Sequence, residues 1–162
     1  MIYVTVGTLR PFPRLICKMD EIAAELSEEV IMQIATDDYK PRHSRYFQFC
    51  KLEDQSGYME AARIVVAHAG VGTVRTLANL GKRSVFVVRR PEYGEVINDH
   101  QMEFARGLEK RGVKIRILYD VDKLKDILTG NIDDIPVPPV GDDSQLIHRL
   151  RQSILELSEG RR

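Results

Sequence analysis

The stretch IVVAHAGVGTV, from Ile64 to Val74, constrains the fold of this chain most. It opens with a short apolar run rich in β-branched residues, which is typical of a strand covered on both faces. Gly70 and Gly72 follow, and the spacing predicts a helix over residues 73–80 that ends at Gly81, a plausible C-cap. The stretch therefore predicts a buried strand, a tight glycine turn and a helix.

A turn of this kind directs unpaired backbone N–H groups and the positive end of a helix at one point in space. That arrangement binds anions, most often phosphate. Gly70 and Gly72 allow close backbone approach and unusual dihedral angles. They are equally consistent with a plain connection in which glycine only satisfies the local geometry, so the glycines alone leave both interpretations open.

Apolar periodicity along the chain predicts an alternation of strands and helices. Strands are expected at 2–6, 30–35, 46–50, 64–67, 84–88 and 113–118, and helices at 12–26, 55–62, 73–80, from an N-cap at Asn98 to Gly112, at 121–128 and at 144–158. The expected class is α/β, a Rossmann-like parallel sheet with right-handed crossovers and helices on both faces. Residues 1–162 are expected to form a single domain, with a proline-containing connector at 131–143 and a terminal helix at 144–158.

Polar or glycine-rich segments follow several of the predicted strands. They begin at Gly7, near Cys50, at Gly70 and at Arg89. In parallel sheets the carboxyl ends of the strands share one edge, and ligands bind there. The sequence therefore predicts that these segments line a common cleft.

Composition excludes several classes of function. Lys+Arg and Asp+Glu both total 24, so the basic excess of a nucleic-acid binder is missing. No apolar run is long enough to span a bilayer and no signal-peptide pattern precedes the first strand, which favours a cytoplasmic protein. Cys17 and Cys50 lack metal-ligand spacing and are expected to be reduced packing residues. No metal site and no cofactor are expected.

A set of motifs carries a family resemblance across about the first 118 residues. The motifs are Val4-Thr5-Val6-Gly7-Thr8, His68-Ala69-Gly70-Val71-Gly72-Thr73, Gly81-Lys82-Arg83, Gly94-Glu95 and Asn98-Asp99-His100-Gln101. In this order the chain resembles the C-terminal, donor-binding domain of family-28 glycosyltransferases, one half of the two-domain GT-B fold. It resembles most the free-standing versions of that domain, in the two-part UDP-N-acetylglucosamine transferase of N-glycan assembly and in prokaryotic exopolysaccharide synthesis.

The resemblance implies roles for individual residues. The implied UDP-sugar site comprises Gly70, Val71, Gly72 and Thr73 at the diphosphate, Asn98, Asp99, His100 and Gln101 at the sugar, and Gly7 and Thr8 in a loop facing the partner domain. Asn98 and Asp99 are also suited to capping a helix, and Gly7-Thr8 to a plain turn. Many family members have a glutamate for the ribose hydroxyls where this chain has Thr76, which can make one hydrogen bond but not a bidentate pair.

The implied catalytic residues are His68 and His100. A lone histidine at a strand end is also a common structural hydrogen-bonding residue, so both roles stay open for His68. Arg89 and Arg90 are expected either to add positive charge near the phosphates or to lie in a solvated loop. Residues 49–52 stand where the family contacts uracil, largely through backbone groups.

The resemblance implies an inverting hexosyltransferase that transfers a hexose, with N-acetylglucosamine expected, from a UDP-sugar to a lipid-linked acceptor. The acceptor site is expected on a membrane-anchored partner subunit, which would hold this chain at the membrane periphery. An apolar seam of Ile147, Leu150, Ile154 and Leu157 either docks on that partner or packs on the chain's own sheet.

Other functions remain as alternatives. One is a non-catalytic nucleotide-sugar-binding accessory protein, which would need the same cleft. A dinucleotide-dependent oxidoreductase is disfavoured because Arg75 stands where the fingerprint needs a small residue. A Walker-type kinase is disfavoured because no GK[ST] follows a glycine loop.

Overall fold

A computed structural model describes residues 1–97 and 99–138 of the chain. The strands are β1 (Ile2–Thr5), β2 (Val30–Gln33), β3 (Arg45–Phe47), β4 (Ile64–His68), β5 (Ser84–Val87) and β6 (Arg116–Leu118). The helices are α1 (Pro13–Ala23), α2 (Leu52–Ala61), α3 (Val71–Asn79), α4 (His100–Lys110) and α5 (Leu124–Thr129). The predicted helix cap at Asn98 and the predicted terminal helix at 144–158 lie outside the described residues.

All six strands are parallel, in the order β3-β2-β1-β4-β5-β6. Every residue of β1, β2 and β5 is buried, as their apolar, β-branched sequences require. Successive side chains of β1 enter opposite halves of the core: Ile2 and Val4 pack on the α1 side, and Tyr3 packs on the side of α2, α3 and α4. The predicted Rossmann-like sheet with helices on both faces is confirmed.

Several element boundaries differ from the prediction. Helix α3 begins at Val71 rather than at residue 73, because Gly72 has a helical backbone and Gly70 is extended, with φ −84° and ψ 140°. Neither glycine therefore uses the unusual dihedral angles that glycine allows. Helix α2 begins three residues earlier than 55, at Leu52, and β6 is confined to Arg116–Leu118. The segment predicted as a polar loop after β5 contains a 3-10 turn at Pro91–Tyr93.

The strand order places the functional edge of the sheet. From the adjacent pair β1 and β4 the chain winds outward in opposite directions, so the loops after these two strands diverge and leave a crevice. Gly7 follows β1 with φ +77°, a left-handed conformation that favours glycine. The glycine-rich segment before α3 follows β4 at the same edge, as predicted.

The segment after α5 is tied to the sheet through arginines. Arg83 donates to the carbonyls of Ile132 and Ile135 at 2.8 and 3.2 Å, and Arg116 donates to that of Asp134 at 2.8 Å. Ile135 is buried in the same half of the core as α1. These contacts order the described beginning of the predicted connector.

Candidate functional site

A cleft of about 480 Å³ opens at the switch point between β1 and β4. It brings together residues that are far apart in the sequence. The predicted site residues that line it are Gly7, Thr8, His68, Gly72, Thr73, Thr76 and Gln101. Leu52 is the residue of the predicted uracil segment that lines it, while Gly70, Val71, Asp99 and His100 do not.

The first turn of α3 presents unpaired donors beside this cleft. Within the described residues, the backbone N–H groups of Val71, Gly72 and Thr73 have no hydrogen-bond partner, as expected for the first turn of a helix. The N–H of Gly70 is already committed, because it donates to the carbonyl of His68 at 2.9 Å. A Cβ added at Gly72 would meet no atom within 4 Å, so space is open next to these donors.

His68 occupies the space between the two glycine loops. A Cβ at Gly70 would lie 2.4 Å from His68 Nε2, and one at Gly7 would lie 2.7 Å from His68 Cε1. Real Cβ atoms do not approach heavy atoms so closely. The glycines at positions 7 and 70 are therefore needed to admit the imidazole, a packing role that the motif alone does not reveal.

The imidazole of His68 is neutral at physiological pH. Burial, and second the positive charge of Arg89, lower the pKa of His68 to about 4. Its Nδ1 is buried and has no hydrogen-bond partner within the described part of the chain. His68 thus reaches the cleft as an uncharged polar group.

Arg89 lines the cleft from the carboxyl end of β5. Only 4% of it is exposed. Its Nη2 donates to the carbonyls of Val6 and Arg10 at 2.8 and 2.7 Å, and its guanidinium stacks on the Phe12 ring at 5.0 Å. A solvated loop is therefore the wrong interpretation for Arg89, which instead joins the loop after β1 to the end of β5.

Arg90 differs from its neighbour, although the two residues look alike in the sequence. It is half-buried, pairs with Glu92 and stacks on the Tyr93 ring, and it does not line the cleft. No sequence signal distinguishes the two arginines, because their burial depends on how the segment after β5 packs on α1.

Glu95 fastens that segment to the start of α1. Its carboxylate accepts from Arg14 Nε at 2.6 Å, from Arg14 Nη2 at 2.9 Å and from the backbone N–H of Arg90 at 2.8 Å. Arg14 also donates to the Val88 carbonyl at 3.0 Å and stacks on Tyr93 at 4.9 Å. Paired groups of this kind are the usual way to bury a carboxylate. We call Arg14, Tyr93 and Glu95 the latch.

The predicted sugar-contacting residues are placed differently from one another. Gln101 lines the cleft, and its Oε1 accepts from the backbone N–H of Arg89 at 3.3 Å, which orients the amide. Asp99 is exposed and is the N-cap residue of α4, although its side chain makes no capping hydrogen bond. His100 is half-buried at the start of α4. Asn98 lies outside the described residues.

A polar network beneath the loop after β1 was not predicted. Thr5 Oγ1 donates to Gln33 Oε1 at 2.8 Å, and Gln33 Nε2 donates to the carbonyls of Gly7 and Gln48, both at 2.9 Å. Gln55 approaches Thr5 Oγ1 at 3.4 Å. Thr5 and Gln33 are polar residues within otherwise apolar strands. Because buried polar groups need hydrogen-bond partners, this pattern in the sequence could have indicated the network.

The charges along the cleft are of one sign. Arg10 and Arg89 line it, and no aspartate or glutamate does so among the residues that the structure describes. Within the same residues, no three His, Cys, Asp or Glu side chains lie close enough together to hold a metal ion. Cationic side chains and unpaired amides together form a site suited to an anion.

None of the helices in the described ranges is both long and apolar enough to cross a bilayer.

The fold and the cleft define a Rossmann-like α/β domain with a cleft at its topological switch point. More particularly, the chain belongs to the glycosyltransferase family 28 C-terminal domain family, whose sequence model matches residues 1–135. The resemblance drawn from the motifs is thereby confirmed. No curated protein matches the chain.

Solved structures share the fold at low sequence identity. An NMR solution structure of ALG13 superposes with a TM-score of 0.59 at 16% identity, covering 92% of this chain and 94% of its own. The glycotransferase of kitacinnamycin gives 0.56 at 18% identity, and the spinosyn forosaminyltransferase SpnP gives 0.53 at 17%. They cover 98% and 97% of this chain, which spans only 39% and 42% of theirs.

Proposed function

We propose that this chain is the donor-binding part of an inverting glycosyltransferase that uses a UDP-activated hexose, with N-acetylglucosamine as the expected sugar. The observation that carries the proposal is the first turn of α3. Its free amides border open space at Gly72, in a cleft lined by arginines and by no carboxylate of the described chain. Membership of a glycosyltransferase family supplies the reaction class.

The amides of Val71, Gly72 and Thr73 would hold the diphosphate, with the Thr73 hydroxyl as a further donor. Thr76, one turn further along α3 and also at the cleft, would contact the ribose. Gln101 would contact the sugar, since its amide is oriented by Arg89 and can donate to a hydroxyl. Asn98, Asp99 and His100 complete the proposed sugar-binding segment.

In the proposed reaction an acceptor hydroxyl attacks the anomeric carbon. The bond from that carbon to the β-phosphate oxygen breaks, and UDP leaves with the electron pair. The helix terminus stabilises the negative charge that develops on the diphosphate. The acceptor proton passes to a general base, for which His68 and His100 are the proposed candidates within this chain.

The acceptor is proposed to be lipid-linked and to bind on a separate, membrane-anchored subunit. That subunit would hold this chain in the cytoplasm, at the membrane periphery. Large apolar side chains at the rim of the cleft support a protein partner. Leu9 and Leu52 are 93% and 77% exposed there.

Gly72→Val tests the diphosphate assignment. The added side chain enters open space, so the fold should persist, but it occupies the position proposed for phosphate. UDP affinity measured by calorimetry should fall by about tenfold or more, a difference of about 1.4 kcal/mol or above. Gly57→Val is the matched control, because Gly57 lies within α2, also has no atom within 4 Å of an added Cβ, and does not line the cleft. Equal UDP affinity in both variants would refute the assignment.

A further inference from the structure

We propose that Arg89 is a specificity-determining residue of the cleft, whose buried charge selects a nucleoside diphosphate over the same nucleoside with less phosphate. This inference rests on the proposed function, since it takes the diphosphate as the ligand group. It assigns to the side chain of Arg89 a preference for the diphosphate that backbone amides alone would supply only weakly.

The guanidinium of Arg89 lies among neutral groups. Arg89 is almost fully buried, and its Nη2 donates to the carbonyl oxygens of Val6 and Arg10. Its Nε is buried with no hydrogen-bond partner in the described chain. A buried cation is costly unless an opposite charge compensates it. Carbonyl oxygens and the Phe12 ring compensate only in part, so the site favours an incoming anion.

Glu95 attracts Arg89 electrostatically but does not neutralise it. Both of its carboxylate oxygens are already committed to the Arg14 guanidinium and to the backbone N–H of Arg90. Arg10, which also acts electrostatically on Arg89, is a cation, and so is Arg14, which stacks on the same Phe12 ring as Arg89. The resting protein therefore keeps a net positive charge at this wall of the cleft.

The position of Arg89 supports the same conclusion. Charges that line one concave, poorly screened site act on the same bound ligand. Arg89 and the first turn of α3 line the same cleft, so a diphosphate held by the α3 amides lies within range of the Arg89 charge. Because Arg89 is fixed by its carbonyl bonds, little reorganisation accompanies binding.

The test compares ligands of increasing charge. Affinities for uridine, UMP and UDP are measured by calorimetry on the wild type and on Arg89→Gln and Arg89→Lys. Arg90→Gln is the matched control, since Arg90 carries the same charge one residue away, is paired with Glu92 and does not line the cleft. Circular dichroism establishes that each variant is folded.

The expected result is a loss that grows with ligand charge. Arg89→Gln should lower UDP affinity by about tenfold or more, because it removes a positive charge that attracts the diphosphate across a poorly screened cleft, and should change uridine affinity little. Arg89→Lys should retain most of the UDP preference, and Arg90→Gln all of it. A purely structural role predicts equal losses for all three ligands, or equal losses in the Lys and Gln variants, and either outcome would overturn the proposal.

A measurement on the wild type covers the case in which the variants do not fold. The Arg89 side-chain Nε–H resonance should shift with UDP much more than with uridine in ¹⁵N-edited NMR. Equal shifts would reject the role of Arg89 while leaving UDP binding intact. Failure of the wild type to bind UDP or any UDP-sugar would instead count against the proposed function itself.

Discussion

At the scale of single residues, His68 explains why glycine stands at two separate positions. Its ring lies where a side chain at either Gly7 or Gly70 would lie, so both loops depend on the same imidazole. Gly72 has no such neighbour and is open to the cleft. Packing against His68 therefore explains glycine at positions 7 and 70, whereas open space at the cleft distinguishes Gly72.

The depressed pKa of His68 predicts a pH dependence of stability. The imidazole takes up a proton near pH 6.5 when the chain is unfolded but only near pH 4 when it is folded. Between these values the unfolded state binds more protons, so stability falls as the pH falls. The full shift corresponds to roughly 3 kcal/mol. Urea unfolding between pH 7 and about pH 4 should show this loss, reduced in His68→Gln.

His43→Gln is the control for this experiment, because His43 is exposed at the surface. Its pH profile should follow that of the wild type. Acidic groups whose pKa is lowered in the folded protein, such as Glu28 beside Arg63, reduce the stability at still lower pH and affect all three proteins alike. Profiles of equal slope in the His68 and His43 variants would contradict the neutral, buried state of His68.

At the scale of elements, the described residues between β5 and α4 supply one wall of the cleft, and the regular secondary structure among them is a 3-10 turn. The latch holds it, since Glu95 joins Arg14 of α1 to the backbone of Arg90. Arg89 and Gln101 stand at the two ends of this segment and are hydrogen-bonded to each other at 3.3 Å. By holding this segment on α1, the latch helps to position both Arg89 and Gln101.

Glu95→Gln should destabilise the protein by about 3 kcal/mol, because breaking a buried ion pair leaves Arg14 uncompensated. The side chain of Glu95 is only 4% exposed. Glu92→Gln, in the same segment, removes the pair with Arg90, but that carboxylate is 47% exposed and its loss should destabilise the protein much less than the loss of Glu95. Chemical denaturation measures both. Similar small losses would show that the latch contributes little to stability.

At the scale of the whole molecule, charge is segregated. The chain is neutral overall, with 24 basic and 24 acidic residues. Yet the cleft carries arginines and, within the described chain, no carboxylate. Net charge reports on the surface as a whole, whereas ligand binding depends on the field inside a concave, poorly screened site.

The open cleft predicts a division of labour between donor binding and transfer. The isolated chain should bind a UDP-sugar but transfer no sugar, because the proposed acceptor site lies on the partner. Transfer should appear when the product of the neighbouring gene is added, in an assay with radiolabelled UDP-N-acetylglucosamine and a membrane extract as the acceptor source. Binding without transfer in the presence of the partner would favour a non-catalytic accessory protein.

Local sequence patterns are sufficient to predict the order of strands and helices and the edge of the sheet where the cleft lies. Apolar periodicity and glycine stops are local properties, and the carboxyl ends of parallel strands must share one edge. This is why the segments that begin at Gly7, Gly70 and Arg89 are predicted to share a cleft, which Gly7, Gly72 and Arg89 do line. The motifs also indicated the family correctly.

Which polar residues are buried at the site, and which partners they have, depends on how the chain folds. Arg89 and Arg90 are identical in type and adjacent in sequence, but one faces the cleft and the other pairs with Glu92. The packing of His68 against two distant glycines and the pairing of Glu95 with Arg14 depend on loops that meet in space. Burial and partner choice are set by such long-range contacts, and local sequence patterns do not encode them.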